Sequence, residues 1–337
     1  MARTVVAMRW SFLTALVLAG STTAASAQTY TSFDADPHAT FPHRIDATGR
    51  IVGTVLSASQ VVGGFVRNAN GTIVLVAIPG AASVDFVTFA GGNQIAGSYA
   101  DASYVDHGFV GPIGGPYSTF DVPGARSTSP TGANAFGEIA GAWTDSAGAQ
   151  HGFLRAAGGA VTKLDVPGAA TTSPGDIDSS GDIAGLYADA SGVTHGFIRS
   201  AGGTYTRFDL PAGAGGAWVY MNDSLQVAGS YRDASAVYHG FLRDTNGTLT
   251  TFTLPGTQTY VNDLSQEGLI VGQYGSHNTA HHGFLRRADG TTVTINYPGA
   301  TLTTSADCIS ETGTIAGHYQ VSKTNTVDHG FTVAGVH

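Results

Sequence analysis

Six histidines, His107, His151, His195, His239, His282 and His329, each open a His-Gly-Phe tripeptide. Imidazole is a common metal ligand, so a repeated histidine first raises metal chemistry. The spacing argues against it. Residues that recur once per copy of a long repeat sit in separate copies and cannot converge on one ion. A structural role follows, with the ring hydrogen-bonded to backbone or to a neighbouring turn, and neither a metal nor a cofactor is expected. Asp101, Asp145, Asp189 and Asp233 begin turns ahead of four of these histidines. One carboxylate per turn is too few for calcium, which takes six to eight oxygens. It suits a side chain that accepts the turn's own N–H groups.

The positions that fail to repeat carry more chemistry. Taking the place of Asp176 in each copy gives Arg44, Thr88, Gly132, Asp176, Tyr220, Cys308 and, after allowing for a longer turn in the sixth copy, Tyr260. His43, Arg126 and Trp218 lie near these and have no counterparts in the other copies. Arginine, tyrosine, tryptophan, histidine and an acid in one place suit a polar, ring-shaped ligand, with aromatics stacking and charges fixing orientation. The candidate ligand-binding set is therefore Arg44, Asp176, Tyr220, Tyr260, Trp218, Arg126 and His43, against the plainer reading that unconstrained loop residues simply drift. Catalysis is less well supported. A glycosidase needs two carboxylates at a defined separation, and Asp176 has Asp307 as a distant partner. A lyase acting on an acidic polysaccharide needs a base such as His43 or Tyr220, and a cation such as Arg44 or Arg126 for the uronate. No nucleophile elbow, phosphate loop or zinc spacing orders these residues, and no catalytic residue is assigned.

Such residues must be positioned by the repeat itself. The tripeptides and a degenerate copy, Gly63-Gly64-Phe65, follow one another at 44, 44, 44, 44, 43 and 47 residues. Within residues 172–211, four short runs rich in β-branched and aromatic residues alternate with Gly, Asn, Asp and Ser turns, which predicts an antiparallel meander with no room for a helix. Four strands per unit is the size of a propeller blade. The phenylalanine recurs in all seven copies, and an aromatic residue recurs in the second strand at Tyr99, Trp143, Tyr187, Tyr231, Tyr274 and Tyr319. Both are assigned to packing between neighbouring blades.

The last copy has three strands and stops at His337, while Thr29-Tyr30-Thr31-Ser32-Phe33-Asp34 resembles the fourth-strand segment Thr204-Tyr205-Thr206-Arg207-Phe208-Asp209. The expected fold is thus all-β: a seven-bladed β-propeller of four-stranded antiparallel blades, its ring closed by the N-terminal strand (28–37) completing the last blade, which leaves no open sheet edge.

Ahead of the repeats, Arg3 and Arg9, an apolar run from Trp10 to Gly20 and the small residues Ala25-Ser26-Ala27 have the order of a secretory signal peptide over 1–27, leaving a single domain over 28–337. The apolar run is too short to span a bilayer, and an exported monomer is expected. The chain carries a formal charge of −9, and the leader removes two more arginines, so nucleic acid is excluded as a partner. With a single cysteine, Cys308, no internal disulfide can form.

The His-Gly-Phe tripeptides and the Ile-Ala-Gly-x-Tyr-x-Asp runs before them resemble the HAF-repeat family of bacterial extracellular repeat proteins over residues 40–333, with Gly where the family name implies Ala. The resemblance implies repetition and export, and carries over no catalytic residue. The expected function is a secreted propeller that binds a glycan or a protein at the channel mouth. The alternatives are a polysaccharide lyase or glycoside hydrolase, and a structural extracellular repeat protein.

Overall fold

A computed structural model describes residues 28–56, 62–211, 215–256, 258–276, 280–322 and 325–336. The expected leader, 1–27, lies outside the described residues. Every described element is a strand. The strands form seven four-stranded antiparallel units, as the repeat predicts. Two pairs of units share a sheet through a single parallel bridge, Ala39 with Asp328 and Tyr238 with Gln258. The seventh unit takes its fourth strand from the other end of the chain: Thr29–Phe33 pairs antiparallel with Asn325–Ala334, Thr29 opposite Ala334 and Phe33 opposite Gly330.

Burial follows the repeat. Phe65, Phe109, Phe153, Phe197, Phe241, Phe284 and Phe331 are among the largest fully buried side chains. Their clusters join residues of adjacent blades, as where Phe153 packs with Ala90, Ala96 and Val122 of the blade before. This burial explains the glycine of Ile-Ala-Gly. A Cβ on Gly141 would stand 2.5 Å from the Ser129 carbonyl and 2.7 Å from the Phe153 ring, so the close approach of backbone and ring requires glycine.

The second-strand aromatics pack between blades as expected, and they also cover the repeated histidines. Trp143 lies 4.6 Å from the His151 ring centroid, Tyr187 5.0 Å from His195 and Tyr231 5.1 Å from His239. His107, His151, His195 and His239 are then held by the fourth strand's end and by a turn, while His282 and His329 meet Asn296 and Asp34. His151 Nδ1 is 3.0 Å from Asp165 on the following strand, and Nε2 is 3.4 Å from Asp145 in the preceding turn. Asp145 accepts the N–H groups of Ala147 and Ala149 with its other oxygen. His107, with Asp121 and Asp101, and His195, with Asp209 and Asp189, repeat the arrangement. The turn role of the aspartates and the structural role of the histidines are both as the sequence implies. The fourth-strand carboxylates Asp121, Asp165 and Asp209 are partners that the sequence reading did not include.

The first strands of consecutive blades contact one another, and that of blade 1 also contacts that of blade 7. These strands span Ala39–Ile45, Ser83–Phe89, Ser127–Ala133, Thr171–Ile177, Gly215–Met221, Gln258–Leu264 and Thr303–Ile309. They are the elements that present the non-repeating residues.

Candidate functional site

Each first strand carries a register irregularity against its second strand. In five blades one residue is extruded between paired neighbours: His43, Thr131, Gly175, Asn262 and Asp307. In blade 2 the bulge comes earlier, at Asp85, and in blade 5 it takes in Trp218. A bulge adds a residue to one strand and re-aims its side chain, a device common beside binding sites. Here all seven named residues line one cavity of about 600 Å³ between the first strands.

A residue just past each bulge forms the floor. Arg44, Gly132, Asp176, Tyr220, Asp263 and Cys308 stand opposite the second residue of the next strand, and Thr88 opposite the third. Arg44 crosses from blade 1 to both acids of this layer. Its Nη1 donates to Asp263 Oδ1 at 3.2 Å, its Nη2 faces Asp176 Oδ2 at 3.4 Å, and its guanidinium lies 5.1 Å from the Tyr220 ring centroid. Each carboxylate also ties its blade to the next. Asp176 accepts the Met221 N–H at 3.2 Å, and Asp263 accepts the Ile309 N–H at 3.0 Å. Gly132 leaves the room Asp176 needs, since a Cβ there would lie 3.1 Å from Asp176 Oδ1. Arg44, Asp176 and Asp263 also border a second cavity, of about 400 Å³, on the far side.

Burial dominates the electrostatics of this layer. It pushes Asp263 up to about 6, although Arg44 and the N–H groups of Ile309 and Leu264 pull the other way. It raises Asp176 and Tyr220 in the same sense, again opposed by Arg44. Burial works against the Arg44 charge, but Asp263 and Asp176 outweigh it and hold the guanidinium protonated. One cation shared by two buried acids is a closed network rather than a free anchor.

Above the floor, His43 stacks on Phe86 with centroids 5.6 Å apart, and its Nε2 lies 3.2 Å from Thr54 Oγ1. Burial lowers it to about 4, with Arg44 acting in the same direction, so the imidazole is neutral near pH 7. Opposite chemistry holds at His318. Burial disfavours its charge, but the Asp307 carboxylate, 2.6 Å from Nδ1, raises the ring above its ordinary value. Asp307 accepts a further hydrogen bond from Ser305 Oγ at 2.6 Å. Trp218 stands at the cavity with 67% of its surface exposed.

Of the residues expected at the site, the structure brings together Arg44, Asp176, Tyr220, His43 and Trp218. It does not bring in two. Arg126 is exposed at the head of its strand and outside the cavity lining, because its backbone N–H is bonded to the Thr144 carbonyl one position before the strand begins. Tyr260 packs at 4.8 Å on Tyr238, away from the cavity, because the residue at the Asp176 register in blade 6 is Asp263. Asn262 resembles the asparagines that open the turns of other blades, but it lies inside the strand, and Ser265 opens this turn. The 43-residue interval from His239 to His282, counted from Tyr220, marks Asp263 directly. His318 was also missed. It is the variable residue of the Gly-x-Tyr segment in the second strand, and variation at that position was the available signal. Cys308 is buried in the floor layer and its thiol is pushed up by burial, so the folded chain offers no exposed sulfur for an intermolecular disulfide.

No family description matches the chain, and no curated protein does either. Solved structures do match. Selenomethionine-substituted virginiamycin B lyase from Staphylococcus aureus aligns with a TM-score of 0.63 at 11% identity, over 91% of this chain and 99% of that one. The β-propeller domain of the Trilobed protease from Pyrococcus furiosus aligns with a TM-score of 0.61 at 9% identity, over 88% and 95%. At these identities the likeness shows the fold alone, and the chain has a β-propeller fold.

Proposed function

We propose that this protein is an exported β-propeller that binds a small polar ring, a glycan, in the cavity formed by its first strands. One observation carries the reading: an indole 67% exposed is held at the mouth of a cavity of about 600 Å³ whose walls set polar groups such as Asp85, Asn262 and His318 among the apolar Phe86, Leu186 and Val219. Ligand sites commonly measure roughly 300–1,000 Å³ and combine apolar faces with a few placed polar groups, and an exposed indole is a stacking surface for a sugar ring. Seven bulges turn non-repeating side chains into this space, whereas the rest of each blade repeats. Drift would not favour one face of seven strands. A ring closed through the N-terminal strand belongs to the same reading, since it keeps the seven bulges in one circle. Its supports are the pairing of Thr29–Phe33 with the last strand and the reach of Arg44 to blades 4 and 6. Export rests on residues 1–27 and on the resemblance to HAF-repeat proteins.

A thermal-shift panel of neutral, basic and acidic oligosaccharides on residues 28–337 tests the reading. A binder at about 100 times its Kd adds roughly 2.7 kcal/mol of stability. That shift should vanish in Trp218→Ala while the melting temperature of the free protein stays put. A panel without shifts, or a shift indifferent to Trp218, defeats the proposal.

An enzyme is the second reading, and the His318–Asp307 pair in the cavity wall favours it. The bases expected from sequence are poorly suited, since His43 is held near 4 and Tyr220 is raised by burial. Turnover of a bound sugar that His318→Gln abolishes without loss of binding would establish it.

A further inference from the structure

Resting on that reading of the cavity, we propose that its ligand is positively charged: a sugar bearing a protonated amine, in preference to a neutral or acidic one.

The charges lining the cavity carry the argument. Among the described residues that line it, Arg44 is the one arginine or lysine. Its donors are directed at Asp176 and Asp263, and its face rests on Tyr220. A uronate entering the cavity would find the guanidinium already shared by two carboxylates. This departs from the lyase scheme expected from the sequence, in which Arg44 or Arg126 neutralises an acidic substrate. Arg44 is engaged and Arg126 lies outside.

Negative groups face the same space. The blade 2 bulge projects Asp85, an exposed carboxylate whose electrostatic neighbours are the Ser83 hydroxyl and a second acid, Asp106. The blade 7 bulge projects Asp307, whose partners are His318 and Ser305. His43, in blade 1 between these two, is a neutral ring and offsets neither. The Arg44 charge is met by Asp176 and Asp263, and a protonated His318 is met by Asp307, so Asp85 is left as a negative charge with no counter-charge among the described lining residues. Low-dielectric walls focus such a field on the opening. Trp218 then serves a cation doubly, because an indole face attracts an ammonium as well as stacking on the ring that carries it. The fit is to an aminated ring: Trp218 takes the ring, and Asp85 draws the amine.

Titration calorimetry with three matched tetramers at pH 6 decides the matter: glucosamine tetramer with its amines protonated, the N-acetylated tetramer, and tetragalacturonate. The amine form should bind at least about tenfold more tightly than the acetylated form, a difference of about 1.4 kcal/mol, and tetragalacturonate should not bind. Raising salt from about 0.05 to 0.5 M should narrow that gap by screening. Asp85→Asn, at an exposed position that does not threaten folding, should weaken the amine form more than the acetylated form. Equal or tighter binding of the acetylated tetramer, or any binding of tetragalacturonate, overturns the charge preference and leaves the cavity a glycan site. No binding of all three overturns both.

Discussion

Two zones of this molecule hold charge in opposite ways. At the rim, His107, His151 and His195 are each bracketed by one carboxylate at the next strand's end and one in the preceding turn, and the unit recurs in three consecutive blades. At the axis, one arginine serves two acids from different blades, and apart from that pair of aspartates no residue of the layer recurs. The rim contacts are local to a blade and partly in water, so each can be copied and lost singly. The axial contacts join blades 1, 4, 5, 6 and 7 in a single network. Repetition therefore maintains the scaffold, while departure from it marks where the chain does something that a blade alone cannot.

The sharpest break in that comparison is Arg44→Met. It leaves Asp176 and Asp263 buried with no cation, a situation that costs about 3–5 kcal/mol. Chemical denaturation should show that loss, and adding Asp176→Asn and Asp263→Asn should restore most of it by removing the stranded charges. A loss near 1 kcal/mol would put the axis on the same footing as the rim and erase the distinction.

The same contrast explains what was legible in the sequence. The period, the four strands per unit and the orphan N-terminal strand were all readable, because a repeat states its secondary structure seven times. The floor was readable as a non-repeating register, and Arg44, Asp176 and Tyr220 were found that way. The cavity wall was legible only in part, at His43 and Trp218, because it is made by bulges. A bulge extrudes a neighbour of the floor residue, and alternation alone puts that neighbour on the other face. His43, Asn262 and Asp307 line the cavity for this reason. Asp85 was missed because its bulge comes earlier than in the other blades. Asp263 was hidden by the Asn262-Asp263 pair, which imitates a turn opening. Engagement of charge could not be read at all: Arg44 looked like a free anchor until its partners, 132 and 219 residues away, were placed beside it.

A second difference between the zones is how they answer to pH. Burial gives Asp263 a folded value of about 6 against an ordinary 3.8, so its contribution is fullest below 3.8 and is lost as pH rises through 6. Burial gives His43 a folded value of about 4 against 6.5, so its contribution is complete above 6.5 and is lost as pH falls toward 4. At about 1.4 kcal/mol per pH unit, each amounts to about 3 kcal/mol, and the two run in opposite directions. Removing one should unmask the other. In His43→Phe, which keeps a ring against Phe86, stability should fall as pH rises from about 4 to 6, and in Asp263→Asn it should rise over the same range. Melting temperatures across that range check this. Equal slopes in the two variants would mean that the axis is wetter than its geometry implies.

The rim offers the smallest effect and the test of its independence. His151→Gln removes two partly exposed contacts to carboxylates and a stack on Trp143, for a loss of about 1 kcal/mol. His195→Gln should lose the same amount, because its surroundings are the same. The double variant should lose their sum, since blades that share no partner do not couple. His107 adds a direction in pH. Burial opposes its charge, but Asp121 and Asp101 outweigh burial and raise it above 6.5. Its stabilising contribution is therefore complete below 6.5 and is lost as pH rises through the folded value. His107→Gln should flatten the fall in melting temperature on the alkaline side of 6.5, while leaving the opposed slopes of the axial variants untouched. A rim variant that altered those slopes would show the two zones to be coupled, and the division between copied scaffold and unique axis would have to be redrawn.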